Sequence, residues 1–352
     1  MVNPENKSFF YTGTYAPEAE KGIFLCSLDT ETGEMAVVNG LPGIANPSYL
    51  TLNAAGDRLY AVSETGSGEI FAYSIDNETG ELHLLDRMPT EGADPCYVSL
   101  TRDGQFAMVS NYSSGHINVF RIGDNGELAE MSSIVKHSGR SIRDDRQEGP
   151  HPHSIFQDPE GRFVLVCDLG LDEIVLYRLE DGKLVTHGEV KTTPGAGPRH
   201  FDFHPSGKWA YGINELDNTV TVFAYNGQVG ELKVLQNVST LPEDFTGESF
   251  CADIHISPCG RFLYGSNRGD DSIVLFHINE STGELTPVDW VSTGGEFPRN
   301  FAIISGYLIA ANQNTGNMLS YKIDSDSGRL TPTGFALELP KPVCIQQWVK
   351  GE

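Results

Sequence analysis

The chain has 352 residues, including 38 glycines and 19 prolines, and a formal net charge of −24 at pH 7. This charge argues strongly against nucleic acid as a partner and, less strongly, against anionic membranes. The first seven residues contain no apolar signal core and no apolar run approaches about 18 residues, so we expect no membrane association and a cytoplasmic location.

The predicted elements form one four-stranded pattern that repeats along the chain. The chain starts inside a repeat, because residues 9–15, 23–28 and 35–38 read as the second, third and fourth strands of a unit. Six hairpins follow, each with an apolar strand, a glycine-containing turn and a second apolar strand. Their first strands begin at Pro47, Pro95, Pro152, Pro198, Cys251 and Pro298. A seventh first strand, residues 342–349, stands alone at the C-terminal end.

Each hairpin continues into a third strand and, after another glycine turn, into a fourth. The glycines of these later turns are Gly33, Gly80, Gly126, Gly182, Gly230, Gly283 and Gly328. Four strands per unit with a period near 50 residues are typical of a β-propeller, and seven units predict seven blades. No long stretch has a 3.6-residue periodicity, so we expect an all-β fold with negligible helix.

The two incomplete repeats predict how the ring closes. Residues 7–39 supply three strands and residues 342–349 supply the missing first strand of the same blade. A blade cannot bury both of its faces alone and depends on its neighbours around the axis. We therefore expect residues 1–352 to form a single propeller domain whose terminal strands hold the ring shut.

The cysteines contain no Cys-x-x-Cys pair and lie mostly among apolar strand residues. They are Cys26, Cys96, Cys167, Cys251, Cys259 and Cys344. This pattern favours buried, reduced thiols over disulfides or a metal site.

The topology predicts where the functional groups gather. The loop that enters the first strand and the loop that follows the second strand lie on one face of the disc, around one mouth of the central channel. Residues at these positions include Arg199, Arg299, Arg268, Glu215 and His153. Such an acidic protein must concentrate arginine locally to bind an anion, and the arginine fork pairs well with phosphate or carboxylate. A concave axial pocket at this mouth is the predicted binding site.

The two longest repeat spacings insert extra residues on the same face. One insert, residues 136–149, is locally basic, and the other is residues 241–250. The basic insert, within residues 131–151, is expected to form a rim or a lid, or else an exposed loop without a role.

Histidines near the mouth raise the possibility of a metal. No spacing matches a known ligand motif, and histidines two residues apart on a strand chelate poorly. We therefore expect no metal, and we expect His200 and His255 to form hydrogen bonds between blades.

Four segments carry a resemblance to a known family. They are Pro152-His-Ser, Pro198-Arg-His-Phe with Asn214-Glu215, Cys251-Ala-Asp-Ile-His, and Pro298-Arg-Asn-Phe. They resemble the seven-bladed lactonase family, which includes cycloisomerase-type 6-phosphogluconolactonases and 3-carboxy-cis,cis-muconate lactonizing enzymes, and the resemblance runs through all seven repeats. It implies catalytic roles for His151, Arg199, Glu215 and Arg268, with His153 competing for the role of His151. The predicted substrate-binding residues are His153, Asp168, His200, Asp253, Arg299 and Gln313.

The resemblance and the charged mouth predict hydrolysis of a sugar-acid lactone, foremost 6-phospho-D-glucono-1,5-lactone, without a cofactor. One or more of Arg199, Arg268 and Arg299 would hold the phosphate, and Glu215 or His151 would be the general base. Neighbouring arginines lower a carboxylate pKa, which favours His151 as the base. The alternatives are a muconate-type lactonizing cycloisomerase and a non-catalytic propeller that binds a small anion or a protein. We expect a monomer or a weak homodimer.

Overall fold

The computed structural model describes residues 6–350. Within this range the chain forms 28 β-strands in seven four-stranded antiparallel sheets, and it contains no α-helix. The predicted seven-bladed β-propeller is confirmed. In the same range, no helix is long and apolar enough to cross a membrane.

Blades 1 to 6 follow one another along the chain. Blade 1 is β4 (Leu50–Leu52), β5 (Arg58–Ser63), β6 (Glu69–Ile75) and β7 (Leu82–Pro89). Blade 2 is β8 (Pro95–Leu100), β9 (Phe106–Asn111), β10 (His116–Ile122) and β11 (Leu128–Lys136). Blade 3 is β12 (Pro152–Gln157), β13 (Val164–Asp168), β14 (Glu173–Glu180) and β15 (Lys183–Lys191). Blade 4 is β16 (Pro198–Phe203), β17 (Trp209–Asn214), β18 (Thr219–Asn226) and β19 (Glu231–Ser239). Blade 5 is β20 (Phe250–Ile256), β21 (Phe262–Arg268), β22 (Ser272–Ile278) and β23 (Leu285–Ser292). Blade 6 is β24 (Pro298–Ile304), β25 (Tyr307–Asn312), β26 (Asn317–Ile323) and β27 (Leu330–Glu338).

Blade 7 joins the two ends of the described chain. It contains β1 (Lys7–Thr14), β2 (Ile23–Asp29), β3 (Met35–Leu41) and β28 (Pro342–Trp348). β28 pairs antiparallel with β1 and also reaches both neighbouring blades. Trp348 Nε1 donates a hydrogen bond to Gly56 O of blade 1 at 2.8 Å, and the Ile345 N–H donates to Asn300 Oδ1 of blade 6 at 2.7 Å.

The hydrophobic core lies between the blades as seven clusters, one for each pair of neighbours. The regular glycine turns make this close packing possible. Gly283 has φ +75°, and a Cβ atom there would lie 2.4 Å from Trp209 Cγ of the preceding blade. The carbonyl of Gly283 also accepts a hydrogen bond from the Tyr211 hydroxyl at 2.8 Å. Since L side chains disfavour positive φ, glycine meets both requirements.

The strand register brings the two predicted rings of residues to one face. Pro152 lies opposite Asp168, Pro198 opposite Asn214 and Pro298 opposite Asn312. The start of each first strand is therefore adjacent to the end of its second strand, as the topological argument requires.

Candidate active site

Glu215, directly after β17, lies buried at the centre of a cluster of arginines. Its Oε2 atom accepts hydrogen bonds from Arg199 Nε at 3.0 Å and from Arg268 Nη2 at 2.8 Å. Its Oε1 atom accepts one from Arg146 Nη2 at 2.5 Å. Burial alone would raise the pKa of Glu215, but the charges of Arg268, Arg199 and Arg146 outweigh it and lower that pKa. The carboxylate therefore stays ionised, holds the arginines together and is a poor proton acceptor.

Backbone carbonyls fix the two most deeply buried arginines. Arg199 Nη1 donates to Ala252 O at 2.5 Å. Arg268 Nη2 donates to Cys251 O at 2.8 Å, and its guanidinium lies 5.0 Å from the centre of the Phe297 ring. Burial lowers the pKa of Arg268 to about 10, so this side chain is still a cation at neutral pH. Both guanidinium groups are thus rigid positive charges in the wall of the mouth.

Arg146 completes the cluster and comes from the basic insert rather than from a strand. Its side chain is 29% exposed, and its Nη2 atom lies 3.4 Å from the hydroxyl of Tyr112. The sequence indicated that the insert is basic, but it did not identify Arg146 as the arginine that reaches Glu215. The path of a loop is not set by the repeat period.

Buried contacts anchor the insert next to Arg146. Gln147 is fully buried, and its Nε2 atom donates to Leu169 O at 2.9 Å and to Asp172 Oδ1 at 2.7 Å. Arg143 Nη1 donates to Leu216 O at 3.2 Å. These contacts favour a fixed rim over a lid.

Arg299 lies at the same mouth but has different surroundings. Among residues 6–350, no carboxylate lies within 4.0 Å of its guanidinium, which packs 5.4 Å from the centre of the Tyr15 ring. The Tyr15 hydroxyl donates to Glu64, with 2.9 Å to each carboxylate oxygen. Glu64 directly follows β5 at the same mouth and is not among the predicted site residues.

His151 is held in one tautomer by its neighbours. Its Nδ1 atom lies 2.9 Å from Tyr112 O, and its ring stacks on the Tyr112 ring with centroids 4.5 Å apart. A carbonyl oxygen only accepts, so Nδ1 carries the proton and Nε2 is the atom that can take up another. The Nε2 atom lies 3.4 Å from the exposed carboxylate of Glu148.

His153 and His200 lie deeper, with ring centroids 5.3 Å apart. His200 Nε2 lies 3.4 Å from Arg199 Nη1, and burial together with the Arg199 charge lowers the pKa of His200 to about 4. Burial, followed by the nearby arginine charges, also holds the pKa of His153 well below its usual range. Both imidazoles are therefore neutral at pH 7.

The predicted residues Asp168 and Asp253 lie behind the histidines. Asp168 Oδ1 accepts the His151 N–H at 2.8 Å, and its Oδ2 atom lies 2.7 Å from His137 Nδ1. Asp253 Oδ1 lies 2.7 Å from His200 Nδ1. The sequence placed both carboxylates among the substrate-binding candidates, but protein groups surround them in the structure, which favours a positioning role.

Further protein donors occupy the other oxygen of Asp253. Its Oδ2 atom accepts from Asn300 Nδ2 at 2.5 Å and lies 3.0 Å from His255 Nε2. The expected inter-blade hydrogen bond of His200 is thus present, whereas His255 pairs with Asp253 of its own strand, β20.

Within residues 6–350, Gln313 forms no hydrogen bond to the arginine cluster. Its backbone N–H donates to Phe297 O at 3.0 Å, and its Nε2 atom donates to Asn314 Oδ1 at 3.2 Å. These contacts stay within blade 6, so Gln313 has the weakest geometric case among the predicted residues.

The mouth carries excess positive charge in an otherwise acidic protein. Four guanidinium groups lie there against three carboxylates, Glu215, Glu64 and the exposed Glu148, which leaves one positive charge uncompensated. In residues 6–350, no group of three or more His, Cys, Asp or Glu side chains is arranged to hold a metal ion. The arrangement can bind a small anion and can supply the Nε2 atom of His151 as a proton acceptor.

Comparison with known proteins agrees with this geometry. The profile of a family described as "Lactonase, 7-bladed beta-propeller" matches residues 9–347. A Bacillus subtilis (strain 168) protein named 6-phosphogluconolactonase is 39% identical over 96% of this chain and 97% of its own. A Formosa agariphila protein of the same name is 35% identical over 88% of this chain and 90% of its own. The solved structure of a periplasmic gluconolactonase from Pseudomonas aeruginosa superposes with a TM-score of 0.92 at 30% identity, covering 97% of this chain and 99% of the other.

Proposed function

The chain belongs to the seven-bladed β-propeller lactonase family, and from this premise we propose that it hydrolyses 6-phospho-D-glucono-1,5-lactone to 6-phosphogluconate. Two relatives, from Bacillus subtilis and Formosa agariphila, carry the name of this activity. The observation that carries the proposal is the excess positive charge at the mouth of a chain whose net charge is −24. A phosphate monoester carries a charge of about −1.5 to −2 at neutral pH and is attracted by this excess.

In the proposed reaction, His151 acts as the general base. A water molecule adds to C1 of the lactone and gives a proton to His151 Nε2, whose ring is oriented by Tyr112. The bond between C1 and the ring oxygen then breaks, and the ring oxygen takes the proton from His151. The carboxylate of Glu148 stabilises the imidazolium that exists between the two steps. The product is an open-chain sugar acid, so no cofactor is consumed.

The arginines support the charge that develops on the substrate. When water adds to C1, the carbonyl oxygen becomes an oxyanion, which fixed donors in a buried wall stabilise strongly. Arg268 and Arg199 are the rigid guanidinium groups beside this position, and Glu215 keeps them in place. We therefore assign Glu215 an organising role rather than that of the base.

The test is hydrolysis of fresh 6-phosphogluconolactone, coupled to 6-phosphogluconate dehydrogenase and corrected for the spontaneous rate. We expect the protein to accelerate the reaction and His151→Gln to lower kcat by about 10²–10⁴-fold. The matched control is His83→Gln, since His83 is exposed on an outer strand. No acceleration by the unmodified protein would overturn the proposal and lead to assays with muconates. If His151→Gln is folded and fully active, His151 is not the general base.

We also propose that the protein acts in the cytoplasm as a monomer or weak homodimer. All six cysteines are unpaired, and five of them are buried, which is typical of a reducing compartment. Cell fractionation tests the location. Sedimentation tests the oligomeric state against the chain mass of 38.4 kDa.

A further inference from the structure

A small cavity lies on the propeller axis beneath the arginine cluster. It has space for roughly one water molecule. Its wall is formed by residues of six blades and includes two of the arginines already described, Arg199 and Arg299, so it opens next to the proposed site. The cavity is lined by Ser48, Tyr49, Glu64, Cys96, His153, Arg199, His200, Arg299 and Val343.

Two polar atoms in this wall are buried without a hydrogen-bond partner among residues 6–350. They are Ser48 Oγ and His153 Nδ1, and both residues are only 4% exposed. Buried polar groups in folded proteins are nearly always paired, because leaving one unpaired costs stability. A hydroxyl and a neutral imidazole N–H can both donate, so the pair is suited to an oxygen acceptor.

The charges of the wall determine which acceptor fits. Arg299 has no carboxylate within 4.0 Å among the described residues, whereas Glu215 already engages Arg199. Glu64 opposes an anion in the cavity, but the Tyr15 hydroxyl binds its carboxylate. Of the two arginines that line the cavity, Arg199 is paired with Glu215, so Arg299 is the one without an ion pair among residues 6–350. An anionic oxygen is thus favoured over a cation.

We propose that this cavity, here called the axial subsite, binds the phosphate of the substrate. One phosphate oxygen enters between Ser48 and His153, and Arg299 pairs with the oxygens that remain in the mouth. This assignment rests on the proposed function and specifies which end of the substrate lies on the axis.

The position of the proposed base is consistent with this orientation. The Tyr112 ring packs against His151, directly before β12, and against His153 within β12, with centroid distances of 4.5 Å and 5.7 Å. A substrate whose phosphate lies on the axis therefore extends its lactone ring toward His151. Arg268 and Arg146, which both pair with Glu215, lie beside that outer position.

The experiment compares 6-phosphogluconolactone with glucono-1,5-lactone, which lacks the phosphate. For Arg299→Ala, we expect the ratio of kcat/KM for the phosphorylated over the unphosphorylated lactone to fall at least tenfold. For the smaller change Ser48→Ala, we expect a fall of severalfold. The control is Arg329→Ala, because Arg329 is exposed and pairs with Asp289 away from the mouth. Thermal unfolding verifies that each variant is folded.

A second measurement does not depend on turnover. Inorganic phosphate should bind the unmodified protein in calorimetry, and Arg299→Ala should weaken that binding at least tenfold. Equal losses for both lactones, or unchanged phosphate binding in Arg299→Ala, would overturn the axial subsite. If only Arg146→Ala lowered kcat/KM for the phosphorylated lactone selectively, the phosphate would be bound at the rim. That result would also overturn the axial subsite. If the unmodified protein hydrolyses neither lactone, the proposed function fails, and calorimetry still decides whether the subsite binds phosphate.

Discussion

Glu215 is surrounded by more positive charge than its own carboxylate can neutralise. Arg199 and Arg268 share one of its oxygens, and Arg146 takes the other. Removing one partner of a buried ionic group leaves the others uncompensated, which costs far more than losing an exposed ion pair. Glu215 therefore serves the site by keeping three guanidinium groups close together.

We predict that Glu215→Gln destabilises the fold by about 3–5 kcal/mol and abolishes lactone hydrolysis. Glutamine keeps the shape of the side chain but removes the charge that offsets the arginines. Chemical denaturation measures the loss, with Glu160→Gln as the control because Glu160 is 63% exposed. The control should change the free energy of unfolding by less than about 1 kcal/mol. If Glu215→Gln unfolds like the unmodified protein, the organising role is wrong.

The sequence indicated the face on which the side chains lie but not what each of them contacts. Arg199, Arg268 and Glu215 meet because strand starts and strand ends alternate around one mouth, which the repeat predicts. Whether a carboxylate at such a position faces the channel depends on nearby backbone N–H groups. Asp168 illustrates this, because it accepts three of them, from His151, Gly170 and Leu171. No sequence pattern distinguishes its environment from that of Glu215.

The repeat pattern predicted the first residue of some strands better than that of others. Five of the seven first strands begin at their predicted proline. In blade 1 the strand begins at Leu50, three residues after Pro47, and the Ser48 N–H donates to the Asn46 carbonyl at 2.7 Å instead of to a neighbouring strand. Ser48 therefore lies outside the regular ladder, and it lines the axial cavity. Local backbone conformation of this kind is not encoded in a 50-residue period.

The largest side chain of β28, Trp348, packs against the neighbouring blade 1. Trp348 is buried between blades 7 and 1, where its ring lies 5.7 Å from that of Tyr11 and its Nε1 atom donates to Gly56 O. We predict that Trp348→Ala lowers the free energy of unfolding by about 3–5 kcal/mol, because it opens a cavity and removes a hydrogen bond. Urea denaturation measures this change in the free energy of unfolding. Val349→Ala is the control, since Val349 is 68% exposed and should change it by less than about 0.5 kcal/mol.

The same interface predicts the outcome of a truncation. A chain that ends after Pro340 lacks β28, so β1 loses its partner and blade 7 loses its contacts with blades 1 and 6. We expect this chain to unfold or aggregate, because exposed strand edges pair with other chains. A truncated chain that remains monomeric and melts like the complete protein would show that ring closure does not depend on β28.

The molecule as a whole combines a strongly negative surface with a positive mouth, and buried histidines link its stability to pH. Burial and the Arg199 charge lower the pKa of His200 to about 4. The unfolded chain titrates this group near pH 6.5, so between about pH 4 and 6.5 it binds a proton that the folded chain lacks. Stability therefore rises with pH across this window. Burial of His153 lowers its pKa as well and acts in the same direction.

His255 has the opposite effect at higher pH. Burial alone would lower its pKa, but the carboxylates of Asp253 and Asp202 outweigh burial and raise it to about 9. From about pH 6.5 to 9 the folded chain holds a proton that the unfolded chain releases, so stability falls as pH rises. We predict a maximum of Tm near pH 6.5, measured by calorimetry between pH 5 and 9. His255→Gln should remove the alkaline decline, whereas His83→Gln should keep it. A Tm that still rises up to pH 9 in the unmodified protein would contradict the coupling between His255 and Asp253.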